Sequence, residues 1–428
     1  MITVEHPAKI RSLRTIQNLS YYPWIVWILA SCFLFYKYLL QVSPSIMINE
    51  IMQKFELTAE GLGHVAAFYF YAYTVMQLPG GVLLDRYNLQ RLMSGAILIC
   101  TLGAYLFSIA PTVGVAKLGR IFIGFGGAFS AIGTMKLISI YFPAERFAYV
   151  SGLMMTLGML GAVGGQAPLA YLSESLGWQY ALSLCCFGGI ILSLLMYFCL
   201  ANNQQSQSAS SSSFKELWHH IKHLLGSAQC WYLSLFSGLA FAPVSAFGGL
   251  WGVPFIALKA NIDTPHAAFY TSLIFVGFAI GCPISGFLSD WMNRRKAVMC
   301  AGTSIGLLFL CAILYLPFYS QSYMAVMLFG FGFFSSFFFI SFAMIREINP
   351  ILIGGAAIGF INTFDSIFGA LSEPGVGWLL DQSWQGQLLN GVRQFSVQQY
   401  EFALSILPMG IACALLISLF IKETLTRE

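Results

Sequence analysis

The sequence predicts an all-α membrane protein in which twelve transmembrane helices form two similar halves. Three observations support this: a composition too apolar for a water-exposed surface, twelve apolar segments of spanning length, and motifs that occur twice along the chain. Of the 428 residues, 58% are hydrophobic and 9% are charged. Soluble proteins carry roughly a quarter charged residues, so most of this surface must face lipid.

The twelve spans follow from length, because a transmembrane helix needs about 20 predominantly apolar residues. The predicted spans are 22–46, 62–84, 91–110, 114–140, 147–171, 178–200, 230–257, 266–289, 297–318, 322–345, 352–380 and 400–422. The one long connection, 201–229, opens with a serine-rich run and predicts a linker between two halves, 1–200 and 230–428. Helical apolar spacing over 214–225 predicts an amphipathic helix on the membrane surface.

The distribution of lysine and arginine predicts the orientation. With both termini in the cytoplasm, fourteen of the 21 basic residues fall in inner loops and tails, four in outer loops and three within spans. The residues before 21 are polar and basic, and the apolar stretch after them is too long for a signal-peptide core, so we expect the first helix to be retained. We therefore predict a multi-pass protein of a bacterial inner membrane.

An internal repeat supports the two halves. Gly81, Leu83, Asp85 and Asn88 after the second span recur 205 residues later after the eighth, as Gly286, Leu288, Asp290 and Asn293. Further repeats relate the fourth span to the tenth, where Gly124 and Gly126 correspond to Gly330 and Gly332, and the fifth to the eleventh. Such repeats about an axis along the membrane normal are typical of transporters whose substrate site lies near the midplane between the halves.

The stretch from Gln77 to Arg86 resembles the signature loop of the major facilitator superfamily, and the fourth-span motif from Arg120 to Gly127 resembles another of its motifs. Asn88 and Asn293 stand where the family has glycine, and asparagine tolerates a left-handed backbone. The resemblance implies alternating access and a cytoplasmic charge cluster that closes the inner side of the outward-open state. The implied gating residues are Asp85, Arg86, Arg91 and Arg146, with Asp290 and Arg294 as a second pair.

The first span also resembles a narrower group. Tyr36 to Met47 is similar to the first helix of the phagosomal nutrient transporters of intracellular bacterial pathogens, which import amino acids or nucleosides. More distant likenesses are to anion:cation symporters and to lysosomal amino-acid and dipeptide carriers. The resemblance favours an amino acid or short peptide as substrate, with an organic anion or nucleoside as the alternative.

Ionisable residues inside the membrane are the candidates for the site, because burying charge in a bilayer is costly. Lys37, Arg120 and Asp365 fall at similar depths, which predicts two cations and one carboxylate near the midplane, an arrangement suited to a zwitterion. Gln41 shares a helix face with Lys37, and Asn362 shares one with Asp365, so both are predicted substrate contacts. The alternative is that Lys37 or Arg120 pairs with Asp365 only to lock the halves together.

Proton coupling is predicted to use Asp365 and Glu373, because burial and nearby cations shift a carboxyl pKa in opposite directions. Glu373 lies nearer the outer edge, where solvation is the alternative. In the seventh span, Pro243, Gly248, Gly249 and Pro254 indicate departures from regular helix near a gate.

Several other classes of protein are disfavoured. No nucleotide-binding motif, metal-ligand spacing or catalytic motif is present, so we expect a secondary transporter without cofactor, metal or enzymatic activity. The sequence contains no run of acidic or basic residues that would indicate nucleic-acid binding. A non-transporting sensor of the same fold remains an alternative, and we expect a monomer whose partners are lipid, a small solute and a co-transported proton.

Overall fold

The computed structural model describes residues 21–200, 222–350 and 353–425. Within them, twelve helical segments are long enough to cross a membrane, and ten of these are also strongly apolar. The other two are the second span, Ala59–Arg86, and the eleventh, Gly354–Ser383. These two spans pack against each other along the junction between the halves. Their mean hydropathy is lower because each of them faces the other half of the protein rather than lipid.

Five spans are regular α-helices besides these two: Leu89–Ile109, Val113–Tyr141, Trp178–Cys199, Thr264–Trp291 and Arg295–Tyr315. The other five are interrupted. The first is Tyr22–Val42 followed by a 3-10 turn, Ser43–Ile46, and the fifth is Ala144–Gly164 followed by Ala167–Leu176. The tenth comprises Gln321–Ser335, a 3-10 turn at Ser336–Phe339 and Ile340–Glu347, and the twelfth comprises Val397–Leu404 and Ile406–Ser418.

The seventh span confirms the expected irregularity. It begins as an α-helix, Ala228–Pro243, continues as a π-helix over Val244–Trp251 and ends as an α-helix, Gly252–Ala260. Pro243 has no amide hydrogen to donate, and π-helical turns are frequent at functional sites.

Within each half, neighbouring spans come into close backbone contact where one of them carries a glycine. A Cβ on Gly124 would lie 2.0 Å from the carbonyl oxygen of Tyr69, and one on Gly332 would lie 1.9 Å from that of Ile274. Tyr69 and Ile274 are 205 residues apart, the same offset as the repeated loop motif. The fourth span therefore packs on the second as the tenth packs on the eighth, although the two contact glycines are 208 residues apart and are not the pair that the motif aligns, Gly124 with Gly330.

We call the side of the molecule that carries residues 200 and 222 the linker side, and the opposite side the loop side. The loop side carries a short helix, Ile48–Phe55, and a hairpin of Leu388–Leu389 with Val392–Arg393. Residues 214–221 of the predicted amphipathic linker helix lie outside the described residues, whereas 222–226 are helical.

Candidate substrate site and gates

Lys37 lies in the first span within a group of tyrosine rings. Its ammonium nitrogen is 3.6 Å from the ring centre of Tyr38, 4.9 Å from that of Tyr73 and 5.7 Å from that of Tyr69. The residue is only 4% exposed. Among the residues that the structure describes, no carboxylate lies within 4.0 Å of this nitrogen. Lys37 is thus a buried cation that contacts aromatic faces and has no counter-ion.

Arg120 also lies near the Tyr69 ring and is held by backbone carbonyl groups. Its Nη1 donates to the carbonyl of Leu40 at 2.8 Å, and its Nη2 donates to those of Gln41 at 3.0 Å and Ala66 at 3.3 Å. Its Cζ lies 5.3 Å from the Tyr69 ring centre, and the residue is 1% exposed. Because Arg120 belongs to the fourth span and its three hydrogen bonds go to carbonyl groups of the first and second, it holds these three spans together.

The acidic residues predicted for the site belong to the other half. Asp365 is buried and accepts a 2.6 Å hydrogen bond from the Ser237 hydroxyl of the seventh span. No ion pair joins Asp365 to Lys37 or Arg120 within the described ranges. The ion pair between the halves that the sequence offered as an alternative is therefore not formed in this conformation. The contacts of Lys37 and Arg120 lie in the first half, and that of Asp365 lies in the second.

The two predicted amide contacts lie near this group. The side-chain oxygen of Gln41 is buried without a hydrogen-bond partner, while the backbone carbonyl of Gln41 is one of the Arg120 acceptors. Asn362 and Gln77 are the polar neighbours of the Tyr73 hydroxyl. Tyr73 on the second span and Asn362 on the eleventh thus meet between the halves.

Glu373 is not solvated, contrary to the alternative weighed from the sequence. It is 4% exposed, because the second span packs over it where Gly63 meets the backbone of Glu373 and Pro374. The Ser245 hydroxyl lies 3.5 Å from one carboxyl oxygen, and the other oxygen has no partner. The backbone carbonyl of Glu373 accepts from the Trp251 indole at 2.9 Å.

The halves are joined on the loop side. The Gln166 amide donates to the carbonyl of Gly248 at 2.7 Å, and the Asp381 carboxylate binds the first turn of the second span. On the linker side, a Cβ on Gly81 or on Gly355 would meet nothing within 4 Å. The inter-half hydrogen bonds between described residues lie at the midplane or on the loop side, so the halves are in contact on the loop side.

The described residues do not test the predicted gating cluster. Arg86, Arg91 and Arg146 are exposed and form no ion pair in the described part of the chain, and the side chain of Asp85 lies outside it. The gating role of these residues therefore stays a prediction.

In the second half the ion pair of Asp290 involves a neighbour of the predicted Arg294, and the gating role of Asp290 and Arg294 stays a prediction. Asp290 forms its ion pair with Arg295, not with Arg294. Arg295 also binds Glu347 at 3.0 Å and the Ser289 hydroxyl at 2.7 Å. Asn293 has a φ of 51°, and this left-handed turn places Arg295, the first residue of the next helix, against Asp290.

Sequence reasoning missed several contacts that define the site. The predicted site residues include neither the tyrosines of the second span nor Tyr38, Ser237, Ser245 and Asp381. Ser237, Ser245 and Asp381 become important through contacts more than a hundred residues away, whereas Tyr38 adjoins Lys37 in sequence and the second-span tyrosines lie more than thirty residues from it.

Comparison with known proteins agrees with this architecture. Residues 26–373 match the family described as Major Facilitator Superfamily. The chain is 22% identical to the probable galactarate/D-glucarate transporter GudP of Escherichia coli K12, over 85% of this chain and 89% of that one. It is 21% identical to the probable sulfoacetate transporter SauU of Cupriavidus necator, over 82% and 85% of the two chains. Neither relative is named as an amino-acid, peptide or phagosomal nutrient transporter, so that finer prediction is not supported.

A solved structure shows the same fold. The crystal structure of the nucleoside transporter NupG, in a point-mutant form, superimposes with a TM-score of 0.75 at 14% identity, covering 92% of this chain and 99% of that one.

Proposed function

The chain belongs to the Major Facilitator Superfamily and is a multi-pass secondary transporter, and we propose that its substrate is a small organic anion bound through Lys37. The observation that carries this proposal is the buried Lys37 ammonium without a counter-ion. Aromatic faces offset about 0.5–2 kcal/mol for a cation, less than the several kcal/mol that desolvating it costs. A carboxylate entering between the halves supplies the missing counter-charge.

Two further points favour an anion over a zwitterion. Arg120 is already held by three carbonyl groups and Asp365 by Ser237, so both charges have partners within the protein, whereas Lys37 contacts only aromatic rings among the described residues. The relatives named for organic acids cover most of both chains. A nucleoside carries no charge and would leave Lys37 unpaired. Gln41 and Asn362 are retained as proposed contacts for the polar parts of the anion.

Uptake into proteoliposomes tests the substrate class. The compounds are D-glucarate, galactarate, sulfoacetate, dialanine and uridine, each with wild type, Lys37→Met and Lys37→Arg. We expect uptake of at least one of the acids, lowered about 100-fold in Lys37→Met and less in Lys37→Arg, because removing one member of a buried charge pair costs roughly 2–5 kcal/mol. Lys54→Met, on the short loop-side helix, is the control and should transport normally. Uptake of dialanine alone, or an unaffected Lys37→Met, would overturn the proposal.

We further propose that transport is proton-coupled and that Glu373 carries the proton. Its second carboxyl oxygen has no partner, and no cation lies within 4.0 Å among the described residues. Burying an unpaired carboxylate costs several kcal/mol, so closing the loop side favours the neutral acid. Arg120 and Tyr71 are the titratable groups near enough to interact with it, and Ser245 is its hydroxyl neighbour. Asp365, which keeps a short bond from Ser237, is the second candidate.

Glu373→Gln separates coupling from binding, because the amide resembles the neutral acid and cannot release a proton. We expect this variant to exchange labelled for unlabelled substrate across the membrane, yet to lose accumulation driven by a pH gradient. Asp365→Asn is the matched comparison and should retain accumulation. If Glu373→Gln accumulates substrate like wild type while Asp365→Asn does not, the proton belongs to Asp365.

A further inference from the structure

We propose that Asp381 is a latch: from one half of the protein it caps a helix of the other half and thereby holds the loop side closed. Asp381 lies in the last turn of the eleventh span. Its Oδ1 accepts from the backbone amide of Ala59 at 3.1 Å, and its Oδ2 accepts from that of Glu60 at 2.8 Å. These two amides form the first turn of the second span, more than 300 residues away in sequence.

The amides that Asp381 binds are ones that local capping leaves open. The first amides of any α-helix lack intrahelical acceptors. Thr58 satisfies one of them, since its hydroxyl accepts from Gly61 at 3.1 Å, but Ala59 and Glu60 lie before that position. A carboxylate there makes charge-assisted hydrogen bonds and interacts favourably with the positive end of the helix dipole.

Arg393 makes the latch reversible. Its Nη1 lies 2.9 Å from Oδ1 of Asp381, and its guanidinium carbon lies 4.5 Å above the Trp384 ring. Arg393 and Trp384 belong to the same half as Asp381, so this ion pair remains when the halves separate. Opening the loop side therefore breaks only the two bonds to the second span and does not leave the carboxylate without a partner.

Near Asp381 the backbones of the second and eleventh spans are in close contact, and the bonds to Ala59 and Glu60 require this contact. A Cβ on Gly63 would lie 2.6 Å from Cα of Pro374, and one on Gly377 would lie 2.4 Å from the carbonyl oxygen of Ala59. Both glycines lie within two turns of the latch. Any rocking motion that parts the second and eleventh spans on this side must pull Ala59 and Glu60 away from Asp381.

Asp263 provides a matched control on the same side of the molecule. It caps the eighth span, accepting from the His266 backbone amide at 2.9 Å, but it does so within its own half. That hydrogen bond and the His266 ring lower the pKa of the Asp263 carboxyl, so it too is ionised at neutral pH. Removing either carboxylate uncaps a helix, yet only Asp381 connects the two halves.

Hydrogen–deuterium exchange on the full chain in lipid nanodiscs, without substrate, tests the latch. In Asp381→Asn we expect amide exchange to become roughly tenfold faster at 59–63, and also at 163–168 and 246–250, where Gln166 joins Gly248. Asp263→Asn should speed exchange only at 264–267. Arg393→Gln leaves the Asp381 carboxylate without its partner once the halves part, so it should favour the closed state and slow exchange at the same segments.

Faster exchange confined to 59–62 in Asp381→Asn would overturn the proposal, because it would show a local cap without control of the gate. Equal protection in wild type and both latch variants would overturn it as well. The readout needs no substrate, so its outcome is independent of the proposals for Lys37 and Glu373.

Discussion

The two halves of the protein carry opposite charges into the membrane and stabilise them differently. The first half buries the cations Lys37 and Arg120, and the second buries the carboxylates Asp365 and Glu373. Arg120 is bound by three carbonyl oxygens, whereas Asp365 has one hydroxyl. Among the described residues, Lys37 contacts aromatic faces and no carboxylate, and the Glu373 carboxyl group has a single hydroxyl neighbour at 3.5 Å.

The difference separates structural charges from functional ones. Arg120 and Asp365 hold spans together within one half, so the halves can move apart without breaking a buried ion pair. Lys37 and Glu373 lack such contacts, which is why we assign them to substrate and proton. This difference can be tested by substitutions that remove the contacts of a charged group in either half, starting with Arg120, which has the most hydrogen bonds.

Arg120→Met should cause the largest loss of stability, lowering the free energy of unfolding by about 3–5 kcal/mol. The reason is that three carbonyls in the first and second spans lose a charged donor at once. The measurement is thermal melting of the purified protein in detergent. Lys117→Met, one turn earlier, is the control: its ammonium lies 5.3 Å from the Phe68 ring centre, and we expect a change of about 0.5–1 kcal/mol or less. Equal shifts for the two variants would make Arg120 available as a substrate residue.

The burial of these charges could be predicted from the sequence, but their partners could not. Apolar length and the repeat predict the spans, and an ionisable residue within a span is expected to face the protein interior. Two of the three acceptors of Arg120 lie where the first span leaves regular α-helix after Val42, 79 and 80 residues away along the chain, and the third, Ala66, is 54 residues away. No local pattern near Arg120 indicates that position.

Ser237→Ala should have the next largest effect, about 1–3 kcal/mol, because it removes the hydrogen-bond donor of buried Asp365. Ser234→Ala is a close control on the same helix. The Ser234 hydroxyl is also buried but has no partner, so its removal should leave the melting temperature unchanged or slightly raised. A larger loss for Ser234→Ala than for Ser237→Ala would show that Asp365 does not depend on this contact.

The repeated loop shows where similar sequence gives different geometry. Asn88 and Asn293 occupy equivalent positions, but Asn88 has a φ of −59° and caps the third span by accepting from the Arg91 amide. Asn293 is left-handed, and the ninth span begins two residues later, at Arg295. The prediction that asparagine replaces glycine in a left-handed turn is thus confirmed in the second half and wrong in the first, because a helix starts immediately after Asn88.

Arg295→Gln should have the smallest effect of the three, lowering stability by about 1 kcal/mol. Its side chain is 13% exposed and binds Asp290 and Glu347, but both of those carboxylates are partly solvated. Arg294→Gln is the control, and we expect no measurable change because Arg294 forms no ion pair within the described residues. Melting at low and high salt checks the cause, since the difference between the variants should shrink as salt screens the charges. If Arg294→Gln is the more destabilising variant, Arg294 is the partner of Asp290 in solution, as the sequence alone had indicated.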